Sequence, residues 1–207
     1  MRAYVQQVVD EGGRIDGIFN NAGIGVGGDA LELNVGHYDR CIDVNIRGVV
    51  HGVVAAYPLM AAQGSGLIVN TASAAGLLPI PLMGPYAMTK HAVVGLSESL
   101  RVEAAEHGVQ VSVLCPTAIE TPLLDSDIAG GEGIWRPDIR TYLTKVGGPP
   151  FPVDRFVENA LRAIERGQGK IVEPAGARAR LAASRFLPAL VERIGRSAFR
   201  EMIAQKP

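Results

Sequence analysis

Short, continuously apolar runs recur along the chain at GIFNNAG (17–23), GLIVNTAS (66–73), VQVSVLCP (109–116) and KIVEP (170–174). Lacking the alternation of a half-exposed strand, they fit strands covered on both faces, as in a parallel sheet with helical crossovers. Between them the apolar positions take on helical spacing. One such segment runs from Asn34, a suitable N-cap, to Gly64; a second has Pro85 at its first helical position and runs to about His107, where Gly108 stops it. Residues 153–166, VDRFVENALRAIER, form a third amphipathic helix. The order β-α-β-α-β-loop-α-β predicts an α/β fold with a doubly wound parallel sheet.

Two segments break this rhythm. Residues 122–152, rich in Gly and Pro and holding the only tryptophan, Trp135, read as a long mobile insertion after the third strand, either a lid or a plain surface excursion. Residues 176–207 form a tail distinct from a main domain over 1–175. From Ala175 onward there are six arginines and two glutamates with apolar residues between them. A helix packed on the domain is the expected form, with a basic amphipathic helix on a membrane or a partner as the alternative.

Composition narrows the class. At 207 residues the chain fits one core, and with 20% charged residues and a formal net charge of -1 it lacks the electrostatic footprint of a nucleic-acid binder. The two cysteines, Cys41 and Cys115, sit in no metal-ligand or disulfide spacing and are expected to be reduced and packed. The first residues, MRAYVQQVVDEGG, lack the apolar region of a signal peptide, and the longest apolar runs fall short of a membrane span. Cytoplasm is the expected location.

The candidate chemistry begins at GPYAMTK (84–90). Tyr86 and Lys90 are four apart on a helix, so both face the same space, and an ammonium there favours the phenolate. Such a tyrosine serves as a general acid or base. Alone, YxxxK arises by chance on many surface helices. Ser73, thirteen residues earlier, stands at the carboxyl end of the second apolar run, where a parallel sheet faces its ligand crevice. Asn45 in DVNIRG and NNAG at 20–23 add polar groups at that edge.

As a set, in this order and spacing, NNAG at 20–23, Asn45, Ser73 in IVNTAS, Tyr86 and Lys90 in YAMTK, and PTAIET at 116–121 resemble the short-chain dehydrogenase/reductase family, from about residue 1 to residue 175. The resemblance implies a Rossmann-like three-layer αβα sandwich and an NAD(P)-dependent oxidoreductase that interconverts a secondary alcohol and a carbonyl. In that scheme Tyr86 exchanges the proton, Lys90 lowers the Tyr86 pKa and holds the nicotinamide ribose, Ser73 orients the substrate oxygen, and Asn45 keeps a water in the proton relay. Asn20, Ala22 and Gly23 resemble the adenosine-side wall, while Ile119 and Thr121 resemble the pair that meets the nicotinamide carboxamide. Thr117 departs from the family's usual glycine, which stiffens that loop. A homo-oligomer, dimer or tetramer, is also implied.

In the family, two βα units and a glycine-rich turn precede a stretch like GGRIDGIFNNAG, which here starts at residue 12. The expectation is therefore an N-terminally truncated or late-started form, with residues 17–23 at a bare sheet edge and the residues that choose NAD or NADP absent. GIGVGG at 23–28 satisfies G-x-G-x-x-G, yet DALELNVG separates it from the next helix, so it is a weak pyrophosphate candidate. The apolar stretch GLLPIPLMG (76–84) and Trp135 predict a small apolar alcohol or carbonyl substrate. The rival reading is a non-catalytic fragment or interaction subunit. A serine hydrolase is disfavoured, since no G-x-S-x-G surrounds Ser73.

Overall fold

The computed structural model describes residues 1–125 and 134–207. Each apolar run becomes a strand: Gly17–Asn20 (β1), Gly66–Thr71 (β2), Val109–Pro116 (β3) and Lys170–Glu173 (β4). They pair in parallel in the order β1-β2-β3-β4. β1 and β2 stop before their apolar runs end, at Asn20 and Thr71, so residues 21–23 and 72–73 leave the ladder as loops at the carboxyl edge.

The helices follow the expected places with three differences. Arg2–Gly12 (α1), which the apolar pattern did not announce, forms ahead of β1 and buries Val5 in the core. The single helix expected over 34–64 is Val35–Ile42 (α2), a π-helical turn Asp43–Arg47, and Gly48–Gln63 (α3). Gly84–Ala105 (α4) follows β2. The third difference lies in the 122–152 insertion, whose described part holds a 3-10 turn, Pro122–Leu124, and a helix, Ile139–Gly147 (α5), while residues 126–133 lie outside the described residues. Val153–Glu165 (α6) leads into β4, and the tail folds as two helices, Ala175–Phe186 (α7) and Pro188–Ile203 (α8).

Strand alternation sorts the sheet into two covered faces. Ile68, Val111, Val113, Cys115 and Val172 pack against Val53, Ala56 and Met60 of α3 and Val93, Leu100 and Ala104 of α4. On the other face Val69, Leu114 and Ile171 meet Ala160, Ala163 and Ile164 of α6. The result is the three-layer Rossmann-like arrangement. That second cover does not reach β1, whose Phe19 is 54% exposed and whose ladder partner among the described residues is β2 alone. Contrary to the reading that no apolar stretch reaches a membrane span, residues Val35–Gln63 do so by length and composition. Here, however, Val49, Val53, Ala56 and Met60 of that stretch are core residues.

One polar thread runs through this apolar interior. Asn20 and Asn70 are paired in register, the Asn20 amide donates to Asn70 Oδ1 at 2.8 Å, Asn70 Nδ2 donates to Ser97 Oγ at 2.9 Å, and Ser97 donates to Val93 O at 2.6 Å. Buried amides left unpaired cost about 1–3 kcal/mol each, so the chain of bonds ties β1, β2 and α4 together. Asn20 fits only because residue 52 of α3 is glycine: a Cβ there would overlap the Asn20 carboxamide.

Gly52→Ala is therefore expected to destabilise the protein by about 1–3 kcal/mol in urea unfolding, through overpacking against Asn20. Gly95→Ala, in the interior of α4 and open to solvent, is expected to stabilise it by about 0.5–1 kcal/mol. A Gly52→Ala variant as stable as wild type would contradict the assigned packing.

Candidate active site

The site is built where β2 ends and α4 begins. Ser73 sits in extended backbone two residues past β2, and its hydroxyl accepts from Ala75 N at 3.2 Å, capping the 3-10 turn Ala74–Gly76. Pro85 starts α4 and puts Tyr86 in its first turn, with Lys90 one turn further on. The Ser73 hydroxyl donates to Pro116 O at 3.4 Å and, beside the Tyr86 phenol, favours the charged form of that phenol. Lys90 Nζ lies 5.5 Å from the Tyr86 ring centroid and donates to Thr71 O at 2.8 Å.

Burial dominates the electrostatics. Lys90 is only 4% exposed, and loss of solvation brings its ammonium down to about 8. Burial likewise pushes the Tyr86 phenol above its ordinary value, against the opposing influence of the Ser73 hydroxyl. This corrects the expectation that Lys90 lowers the Tyr86 pKa: in this state desolvation is the larger effect, and the ammonium is engaged by a backbone carbonyl. Both cysteines are buried and free, with Cys115 pushed up to about 12 and Cys41 raised, as suits packed thiols.

Asn45 lies in the π-helical turn and is fully buried. Its Oδ1 accepts from Ile24 N at 2.9 Å, and its Nδ2 donates to Ile24 O at 2.9 Å and Thr89 Oγ1 at 3.0 Å. Those bonds use both amide hydrogens, so the side chain is a clamp on the loop after β1 rather than a free donor. Thr89 in turn donates to Tyr86 O at 2.8 Å. Thr89 and the Thr71 carbonyl are parts of the site that motif reading assigned no role, although Thr89 stands inside YAMTK.

The remaining candidates divide. A Cβ at Gly23 would lie 3.2 Å from Asn45 Oδ1 and 3.3 Å from Lys90 Nζ, so Gly23 keeps open a cradle beside the ammonium. Ala22 is exposed next to it. The Asn20 side chain faces away from that opening, its amide donating to Asn70 Oδ1 at 2.8 Å. Ile119 and Thr121 stand on the loop after β3, fixed by the Ile119–Phe151 bridge and by Arg140, whose guanidinium pairs with Glu120 and Asp125 at 2.7 and 2.6 Å. Met83, Ile139 and Leu143 pack about Tyr86 and give its crevice an apolar wall.

Known proteins share the sequence pattern and the fold. The family model described as short chain dehydrogenase matches residues 1–130. Levodione reductase from Leifsonia aquatica is 38% identical over 129 residues, 62% of this chain and 48% of that protein. A 2,5-dichloro-2,5-cyclohexadiene-1,4-diol dehydrogenase from Sphingobium indicum is 34% identical over 160 residues, 76% of this chain and 60% of that one. The chain thus spans about half to three fifths of the length of these curated relatives. Among solved structures, a short chain dehydrogenase/reductase from Burkholderia phymatum in complex with NAD superposes with a TM-score of 0.78 at 30% identity, covering 91% of this chain and 72% of that one. The fold is also that of a short-chain dehydrogenase from Sphingobium yanoikuyae in complex with NADPH, with a TM-score of 0.72 at 24% identity over 93% of this chain and 70% of that one.

The depressed Lys90 pKa fixes a pH dependence. Between pH 8 and about 10 the unfolded chain binds the lysine proton while the folded chain has lost it, so the Lys90 contribution to stability rises with pH across that window. Relative to Lys90→Met, wild type is expected to gain on the order of 2 kcal/mol between pH 8 and 10 in chemical denaturation. A difference that stays flat would show that Lys90 keeps an ordinary pKa.

Proposed function

The chain belongs to the short chain dehydrogenase family, and on that premise we propose that it interconverts a secondary alcohol and a carbonyl on a small apolar substrate with NAD or NADP. The observation that carries this reading is the Ser73 hydroxyl beside the Tyr86 phenol with Lys90 buried 5.5 Å from the phenol ring centroid, next to an apolar wall. Two neighbouring hydroxyls would hold a substrate oxygen and pass it a proton as charge develops there. The wall of Met83, Ile139 and Leu143 favours a hydrocarbon skeleton around that oxygen. A relative named for a dichlorinated cyclohexadiene diol is consistent with a ring alcohol of this kind.

The residues present fit a nicotinamide cofactor on its reactive side. Gly23 leaves room next to the Lys90 ammonium, whose proton is shared with a carbonyl and free to turn to a ribose hydroxyl. Ile119 and Thr121 lie on the adjoining loop at the same sheet edge, where a carboxamide would rest. The cofactor, when bound, supplies or accepts the hydride. Tyr86 gives up or takes the proton, Ser73 fixes the oxygen, and Lys90 supplies the positive charge that a phenolate requires. With its side chain clamped on Ile24, Asn45 is left to contribute its main-chain carbonyl to the relay, in a π-helical turn that widens the backbone hydrogen-bond ladder.

Tyr86→Phe is expected to lower turnover of an apolar cyclic alcohol by about 10²–10⁴-fold while leaving NADH or NADPH affinity, by titration calorimetry, within about threefold. A folded chain that binds neither nucleotide, or a Tyr86→Phe variant with unchanged turnover, would sink the reading.

A further inference from the structure

Three wall segments meet away from the Ser73–Tyr86 pair, and one side chain holds them together. The 24–33 loop reaches the 77–83 loop through Gly28 N, which donates to Leu82 O at 2.8 Å, and a Cβ on Gly27 would lie 2.8 Å from that same carbonyl and 3.8 Å from Ile139 and Met83. Ala198 and Met202 of α8 are buried against Leu82 and Tyr142, and Ile80 and Leu143 pack both on this cluster and on the Met83–Ile139 cluster that holds the Tyr86 ring. After α8, Lys206 Nζ pairs with Asp29 Oδ2 at 3.3 Å and Glu32 Oε1 at 2.7 Å and lies 5.9 Å from the Trp135 ring centroid. Glu32 also accepts from Trp135 N at 3.3 Å, and Lys145 of α5 pairs with Glu201 of α8.

These contacts have one ammonium in common. Asp29 and Glu32 stand three residues apart on one loop and would repel each other, and Lys206 pairs with both, offsetting one of the two charges, while lying over the indole face. We propose that Lys206 is a specificity-determining positioning residue: it holds the 24–33 loop and Trp135 against α8, and thereby sets the size of apolar substrate admitted beside Tyr86. The selectivity half of this rests on the proposed Tyr86 chemistry; the holding half does not.

Trp135 is the chain's single tryptophan and reports on the contact directly. In the full chain, Lys206→Met keeps the apolar stem and removes the charge. It is expected to raise acrylamide quenching of Trp135 at least about twofold, Lys206→Arg to stay near wild type, and the double variant Asp29→Asn/Glu32→Gln to match Lys206→Met, each with an unchanged circular dichroism spectrum. Wild-type quenching should rise in the same direction between about 0.05 and 1 M NaCl, because the pairs are only partly buried. Unchanged quenching in Lys206→Met overturns the holding role. For selectivity, Lys206→Met is expected to reduce the ratio of kcat/KM between a monocyclic and a bicyclic ketone at least about threefold, mainly through KM, with Lys206→Arg restoring it. An unaltered ratio overturns the specificity role. A wild-type chain that turns over neither ketone removes the Tyr86 reading and selectivity with it, while quenching still decides the holding role.

Discussion

The placement of the candidate site depends on how α4 is locked to β2 by buried polar bonds. Lys90 Nζ reaches Thr71 O, and seven residues further along the helix Ser97 accepts from the Asn70 amide. Seven residues are close to two turns, about 10 Å of helix, so the two bonds hold both the rotation and the axial position of α4 on the strand. Apolar packing of Val93, Val94 and Leu100 supplies most of the attraction, but it is tolerant of small slips. The polar bonds are not, because a slip of one residue would leave a buried ammonium and a buried amide without partners. Tyr86, one turn before Lys90, inherits its position from that lock.

Local irregularities in the backbone gather around the same place. The π-helical turn at Asn45 turns the carboxamide onto both backbone groups of Ile24. Leu82 has φ 62, a left-handed conformation that costs a non-glycine residue about 1 kcal/mol. Its carbonyl is held by Gly28 N and its side chain is buried with Tyr142 and Met202, which offset that cost. The turn then delivers Met83 to the Tyr86 wall and Pro85 to the start of α4. Regular helix and sheet establish the platform, and a π-helical turn and a left-handed turn aim the groups on it.

Much of this is legible in the sequence because the signals are local. The strands announce themselves as apolar runs bounded by glycine and asparagine, and Pro85 and Gly108 bracket α4 within a few residues. The order of Ser73, Tyr86 and Lys90 along the chain is enough to bring them to one edge. What stays hidden is set by distant partners. The π-helical turn is fixed by Ile24, twenty-one residues away, and the junction of α8 with the 24–33 loop by Lys206 meeting Asp29 across 177 residues. Asn20 illustrates the converse: a motif residue is legible as polar and near the crevice, yet only the glycine at 52 shows that its side chain is turned inward.

The pKa values show the same division between pattern and environment. Helical spacing correctly places an ammonium beside a phenol, but the sign of the Tyr86 shift depends on how much solvent each group loses. Burial works against both charged forms at once, lowering Lys90 and raising Tyr86. The coupling between them is reciprocal: whatever Lys90 would do to favour a phenolate, a phenolate would do to restore the lysine proton. With Lys90 near 8 and Tyr86 above its ordinary value, the lysine is largely protonated and the tyrosine neutral at pH 7. A phenolate at Tyr86 would hold the proton on Lys90 to higher pH. On this argument the positive charge of Lys90 is in place at neutral pH, while burial keeps Tyr86 from being ionised in advance.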